Sequence, residues 1–139
     1  MRRPFVLVAA IVLVGCSSAT TSSATTSSAT PPPSGPPVRL AISAPKGATF
    51  DGFSTGTLTA PAGSPITIVF RNTDPGVQHN VQIFPGDVAT GTPVFAPAGN
   101  AMITGPATAR YVVGALPAGT YTFDCYAHPA TMVGTLTVG

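Results

Sequence analysis

The chain has 139 residues, and once its N-terminal segments are set aside about one hundred remain, which is enough for one domain with its own core. Only 7% of the residues are charged, and Arg2 and Arg3 lie in the N-terminal segment, which leaves four basic and four acidic residues in the remainder. A near-neutral remainder excludes a nucleic-acid-binding protein, because such proteins cluster Lys and Arg against the phosphates. It also argues against long-range electrostatic steering of a strongly charged partner.

The first 15 residues have the pattern of an export signal. Arg2 and Arg3 supply a basic start, and residues 5–14 form an unbroken apolar run. A membrane-spanning helix needs about 20 apolar residues, so this shorter run predicts a cleaved signal peptide. The run ends in Leu-Val-Gly-Cys at residues 13–16, which resembles the bacterial lipobox. The resemblance implies that Cys16 is lipidated after cleavage; the alternative is an ordinary signal peptide with an incidental Cys.

The next segment, residues 16–37, is predicted to be a disordered linker that begins at the lipidated Cys16. Residues 17–31 repeat the pentapeptide Ser-Ser-Ala-Thr-Thr with one change at the end, and residues 31–37 are rich in Pro. Without apolar periodicity the repeat buries too little surface to offset the entropy of ordering, whereas the Pro-rich part stiffens towards polyproline II. We therefore expect an exported protein, lipid-anchored to the outer face of the cell membrane or in the periplasm.

Residues 38–139 carry short segments in which β-branched and aromatic residues alternate with polar ones, and Gly and Pro separate these segments. The predicted strands are residues 38–43, 55–60, 66–71, 77–84, 109–113, 120–124 and 133–138. Seven or eight such strands predict an all-β fold, a Greek-key β-sandwich. Tyr121 and Phe123 are expected to face the core. The irregular residues 85–106 are expected to lie across one edge of the sandwich, with at most a short helical turn.

Four side chains offer donors for a soft metal ion. Cys125, His128 and Met132 lie within eight residues, and His79 lies 46 residues before the Cys. Two His and one Cys with a distant Met form the ligand set of a blue copper site, and this combination of donors suits copper better than zinc, calcium or magnesium. If Cys16 is lipidated, Cys125 is left without a disulfide partner. Metal ligation explains an unpaired Cys in an exported protein, because a bound thiolate is protected from oxidation.

Two segments resemble the plastocyanin, amicyanin and azurin group of cupredoxins. Residues 118–125, followed by His128, Met132 and residues 134–138, resemble the C-terminal hairpin of that group, and residues 78–81 resemble the strand that delivers its first His. The resemblance implies a cupredoxin-like sandwich that holds one type 1 copper ion, Cu(I) or Cu(II). The implied equatorial ligands are His79, Cys125 and His128, and the implied axial ligand is Met132.

Two further residues near the predicted site have alternative interpretations. By the same resemblance, the Asn80 side chain ties the first-His strand to the Cys loop through hydrogen bonds, which orient the metal ligands. The alternative is an Asn that bonds to its own backbone near a strand end. Met102 is a second thioether in the domain, but it falls in the irregular stretch, where filling the loop or the core is its expected role.

The resemblance implies a single-electron carrier that forms transient complexes with redox proteins through an apolar patch around His128. Ala127, Pro129 and Ala130 flank this His and are small and uncharged. The alternative function is storage or delivery of copper, but the chain has only three Met and two His, which favours electron transfer. An enzyme with additional copper centres would need more His. A metal-free adhesion module would leave the placement of His and Cys unexplained. The protein is expected to be a monomer.

Overall fold

The computed structural model describes residues 33–139. The predicted signal peptide, Cys16 and most of the predicted linker lie outside these residues. Within the described part of the chain, no helix has the length and apolar character required to span a membrane.

Nine strands account for the regular structure of residues 33–139, together with one short helix and one 3-10 turn. The strands are β1 (Val38–Ala44), β2 (Thr57–Ala60), β3 (Pro65–Asn72), β4 (Gln78–His79), β5 (Gln82–Pro85), β6 (Ile103–Thr104), β7 (Ala107–Ala115), β8 (Gly119–Asp124) and β9 (Val133–Val138). The helix α1 spans Ala48–Asp51, and the 3-10 turn spans Ala98–Asn100. Seven of the nine strands have four residues or more, which matches the predicted number.

The strands form two main sheets and one small ribbon. One sheet has the order β1-β3-β7, the other has the order β2-β9-β8-β5, and β4 pairs with β6. The β1-β3 and β2-β9 pairs are parallel, whereas β3-β7, β5-β8 and β8-β9 are antiparallel. The all-β sandwich architecture predicted from the sequence is confirmed.

The core forms where the alternating side chains of the two sheets meet. On β3, Ile66, Ile68 and Phe70 are buried, as the period-two pattern requires. On β8 the predicted core residues Tyr121 and Phe123 are buried, but Thr122 and Asp124 on the other face of this strand are buried as well. Both faces of β8 are therefore covered, and the chain continues from its end directly into Cys125.

The sequence prediction of one continuous strand over residues 77–84 is wrong. The chain leaves the strand at Asn80 and Val81, so that β4 pairs with β6 while β5 pairs with β8 in the four-stranded sheet. The physical reason is that the Asn80 side chain bonds to two segments far along the chain, as described below. In the irregular stretch, the regular features besides β6 are the 3-10 turn and two bridges, Ile83 to Phe95 and Pro75 to Gly105, so the expectation of at most a short helical turn holds.

The domain has two distinct ends. At one end the described N-terminal segment is attached, because the Ser34 N–H donates to the Gly63 carbonyl and the Gly63 N–H donates to the Leu116 carbonyl. At the other end β1 finishes, and its last residue accepts a bond from the Thr73 N–H. Cys125 follows the end of β8 that lies away from Gly119, and therefore lies at this second end.

Candidate metal centre

The loop between β8 and β9 brings Cys125, His128 and Met132 together through its backbone. The Cys125 N–H donates to the Met132 carbonyl at 3.1 Å, and the Met132 N–H donates to the His128 carbonyl at 2.9 Å. The His128 N–H in turn donates to the Cys125 carbonyl at 3.0 Å. The loop therefore curls back on itself between Asp124, the last residue of β8, and Val133, the first residue of β9, which pair with each other.

Two imidazole nitrogens approach the Cys125 sulfur. The Cys125 Sγ lies 3.8 Å from the Nδ1 of His79 and 3.8 Å from the Nδ1 of His128. The donor atoms of the three residues all lie within 4.8 Å of one another, although His79 comes from β4 and the other two come from the loop after β8. Cys125 and His79 are fully buried, and His128 is partly exposed.

These distances can be compared with those expected around a metal ion in a trigonal or a tetrahedral site. With the bond lengths of protein-bound zinc as a guide, about 2.0 Å to nitrogen and about 2.3 Å to sulfur, nitrogen and sulfur lie about 3.7 Å apart at a trigonal angle. At a tetrahedral angle the separation is about 3.5 Å. The observed 3.8 Å separations are close to both values, so they suit two His and one Cys around a single ion, which is the donor set typical of blue copper.

The two Met residues of the domain lie in different environments. Met132 is fully buried in the core, and its backbone bonds to both Cys125 and His128. Met102 is only partly buried and lies between the 3-10 turn and β6. The position and burial of Met132 suit an axial thioether, whereas those of Met102 suit a loop residue that covers the edge of the core.

Asn80 connects the strand of the first His to the loop that contains Cys125. Its Oδ1 accepts a hydrogen bond from the Tyr126 N–H at 2.9 Å, and its Nδ2 donates to the Asn100 carbonyl at 3.2 Å. Asn100 has a positive φ of 56° and is held there by the Gln82 Nε2, which donates to its side-chain oxygen at 2.8 Å. The Asn80 side chain therefore bonds across the chain rather than to its own backbone, and three distant segments are fixed around the site.

Asp74 is a site residue that the sequence analysis did not identify. Its Oδ2 lies 3.2 Å from the Nε2 of His79, and its Oδ1 accepts a bond from the Gly47 N–H at 3.1 Å. Asp74 itself is only 5% exposed, and its N–H donates to the side chain of Asn72. The Gly47 N–H bond, followed by the bond with His79, holds the pKa of Asp74 below its usual value, so the carboxylate is ionised at neutral pH.

The electrostatics of His128 also suit metal binding. Burial lowers the pKa of this imidazole, and the neighbouring His79 lowers it further. The two rings lie with their centroids 5.0 Å apart and their planes tilted by 59°. A neutral imidazole is the form that donates a lone pair to a metal, so the surroundings keep His128 ready to bind at neutral pH.

Sequence and structure comparisons identify the family. A profile of the cupredoxin-like domain matches residues 6–138. The chain belongs to the cupredoxin-like domain family. In this family context, His79, Cys125, His128 and Met132 form a type 1 copper ligand set. No curated protein matches the sequence with significance.

Several solved structures share the fold. An auracyanin from the photosynthetic bacterium Roseiflexus castenholzii superposes with a TM-score of 0.62 at 23% identity, and the match covers 76% of this chain and 99% of that one. Auracyanin A from Chloroflexus aurantiacus, described as a "blue" copper protein, gives 0.57 at 24% identity, with coverage of 76% and 100%. Rusticyanin from Thiobacillus ferrooxidans gives 0.53 at 26% identity, with coverage of 76% and 79%.

Proposed function

We propose that this cupredoxin-like protein is a type 1 copper protein that carries single electrons between redox partners. The observation that carries the proposal is the position of two imidazole nitrogens, each 3.8 Å from one buried Cys sulfur. In this assignment His79, Cys125 and His128 are the equatorial ligands and Met132 is the axial ligand. Copper bound there supplies a centre that changes oxidation state by one electron.

The protein fixes the positions of the donor atoms and excludes water from them. Cys125 and His79 have no exposed surface, so water is kept from the thiolate and the first imidazole. The bonds of Asn80 to Tyr126 and Asn100 and the backbone bonds within the loop fix the ligands from several directions. Ligands held by hydrogen-bonded surroundings rearrange little when the charge of the ion changes, which favours fast electron transfer.

The proposed exit for the electron is the exposed surface around His128. Ala127, Pro129 and Ala130 are exposed beside this partly exposed His. The neighbouring helix α1 adds Phe50, which is 84% exposed, and α1 is joined to the loop by a 2.7 Å bond from the Thr131 hydroxyl to the Thr49 carbonyl. A small apolar surface of this kind suits the brief encounters of redox proteins, for which high affinity is not needed.

The chain organisation in this proposal follows the sequence. Residues 1–15 serve as a lipoprotein signal peptide, residues 16–37 as the lipidated Cys16 and its linker, and residues 38–139 as the copper domain. The protein then works as a lipid-anchored monomer, in the periplasm or on the outer face of the cell membrane. The repeat of small polar residues at 17–31 and the lipobox-like residues 13–16 support this arrangement.

Storage or delivery of copper is the second candidate function, and an enzymatic role is not proposed. The buried Cys125 and His79 favour a permanent site, because a protein that delivers copper must release it. The two His of the chain are both used by the proposed centre, which leaves none for a second, catalytic copper ion.

The test uses residues 17–139, which lack the predicted signal and Cys16, loaded with Cu(II). We expect an intense blue absorption band that disappears in Cys125→Ser, a reversible one-electron voltammogram and slow loss of copper to a chelator. Met132→Leu is expected to shift the band and the potential, whereas the matched change Met102→Leu leaves both unchanged. A colourless copper complex would refute the type 1 assignment, and rapid copper loss with irreversible voltammetry would favour delivery.

A further inference from the structure

The carboxylate of Asp74 lies behind the first proposed ligand. The two nitrogens of His79 have different neighbours: Nδ1 lies 3.8 Å from the Cys125 sulfur, and Nε2 lies 3.2 Å from the Asp74 Oδ2. A carboxylate has no proton to donate when it is ionised, so the hydrogen of this bond must belong to His79 Nε2. In the neutral imidazole, Nδ1 is then the nitrogen with a free lone pair, and it is the one that faces the sulfur.

Asp74 is fixed in this position from its other side. Its second oxygen accepts the Gly47 N–H at the start of α1, where Gly47 adopts a φ of 84°. The Asn72 side chain accepts the Asp74 N–H at 3.0 Å and donates to the carbonyls of Val77 and Ile103 at 2.8 Å each. The carboxylate therefore cannot swing away from His79 without breaking bonds to α1.

A buried charge at this place affects the two oxidation states of copper differently. With Cu(II) bound, the Cys125 thiolate and the Asp74 carboxylate together balance the two positive charges of the ion. With Cu(I) in the site instead, the same two buried carboxylate and thiolate charges would leave one net negative charge. Because a net charge in a poorly solvated interior is costly, the carboxylate favours the oxidised state.

We propose that Asp74 is a positioning residue of the copper centre, which holds His79 with its proton on Nε2 and lowers the reduction potential. This inference rests on the proposed function, since it assigns a tuning role at the same site. A purely structural role would be limited to joining α1 to the residues before β4. The Thr131 hydroxyl also joins α1 to the loop between β8 and β9 through the Thr49 carbonyl. The structural role of such a bond can therefore be compared by experiment with the positioning role of Asp74.

The first test measures the reduction potential of copper-loaded residues 17–139 at constant pH and ionic strength. Asp74→Asn keeps the size of the side chain and removes its charge, so we expect the relative affinity for Cu(II) over Cu(I) to fall at least about tenfold, which is a rise of about 59 mV for one electron. Asp74→Glu retains the charge and is expected to recover part of the lower potential. An unchanged potential in a blue Asp74→Asn variant would overturn the proposal.

Two matched variants separate the buried charge from other effects. Asp51→Asn removes an exposed carboxylate from α1, the helix that follows the Gly47 partner of Asp74, and solvent screening should keep its effect below about twofold in relative affinity. Thr131→Val removes the exposed hydroxyl bond to Thr49 without a change of charge, and it should leave the potential unchanged. A rise in either variant as large as that of Asp74→Asn would refute a specific role for Asp74.

The second test needs neither copper nor a variant. In the copper-free protein, at a pH at which the imidazole carries a single proton, the nitrogen-15 resonances of His79 are expected to show a protonated Nε2 and an unprotonated Nδ1, with slow exchange of the Nε2 proton. A proton on Nδ1, or a rapidly interconverting mixture, would overturn the positioning role. If the unmodified protein forms no blue complex, the proposed function and the potential-tuning role fail together; if it is blue and His79 has the other tautomer, only the inference fails.

Discussion

Replacement of Asp124 by Asn is expected to stabilise the copper-free protein at neutral pH. Asp124 is only 3% exposed, and its Oδ1 is buried without a hydrogen-bond partner. Burial raises the pKa of this carboxyl from 3.8 to about 6. The folded state therefore binds this proton more tightly than the unfolded state does. The stability that the protonated Asp124 gives the parent protein is complete below pH 3.8 and is lost as the pH rises through about 6.

The size of the effect follows from the shift. About two pKa units at 1.36 kcal/mol each give an upper limit of about 3 kcal/mol, and partial solvent screening reduces this to about 1–2 kcal/mol. Burial lowers the pKa of His128 from 6.5, so this group adds stability as the pH rises towards 6.5, opposite to Asp124, and the informative quantity is the difference between variant and parent.

Urea denaturation of both copper-free proteins between pH 4 and pH 7, with Cys125 kept reduced, measures that difference. We expect nearly equal free energies of unfolding near pH 4 and an advantage for Asp124→Asn that grows to about 1–2 kcal/mol at pH 7. An advantage that is the same at every pH would show that packing rather than ionisation is responsible. A variant that is less stable at pH 7 would refute the reasoning altogether.

Three further predictions concern the core, the loop and the exposed surface. Tyr121→Phe should lower the free energy of unfolding by about 0.5–1.5 kcal/mol in urea denaturation, because the Tyr121 hydroxyl donates to the Pro117 carbonyl at 2.9 Å. Tyr111→Phe should be neutral or stabilising, because the buried Tyr111 hydroxyl has no hydrogen-bond partner. Equal losses of stability in the two variants would contradict this reasoning. Asn80→Ala should destabilise the domain by about 1–3 kcal/mol and speed copper loss to a chelator, since the Tyr126 N–H loses its acceptor; unchanged copper retention would argue against the link to the loop. Ala130→Glu should slow electron exchange with a redox partner while leaving the blue band intact, and an unaffected rate would place the docking surface elsewhere.

The proposed ligands could be found from the sequence because three of them fall in one short motif. Cys125, His128 and Met132 are close in the chain, and a loop of that length must fold back on itself. Most strands could also be predicted from the sequence, since the side chains of β3 and β9 alternate between buried and more exposed positions as a half-buried strand requires.

The break between β4 and β5 could not be read from the sequence. Val77, His79, Val81 and Ile83 alternate as in a single strand, and nothing local interrupts them. The interruption comes from the Asn80 side chain, whose partners lie 20 and 46 residues away in sequence.

Asp74 was missed for a related reason. Its neighbours Asn, Thr, Pro and Gly are typical of a solvated turn, and its burial depends on a four-residue helix that the sequence did not indicate.

Ser34 and Cys125 lie at opposite ends of the domain, so the N-terminal attachment and the proposed copper centre are separated by the length of the sheets. β1 runs from one end to the other over seven residues, a rise of about 23 Å. If residues 16–37 connect the domain to a lipid, the reactive surface points away from the attachment, towards partners that approach from the aqueous side. Because Ser34 is bonded to the domain, the 18 residues 16–33 would span at most about 65 Å when fully extended, and with a lipid at Cys16 this length would limit how far the domain could move from the membrane.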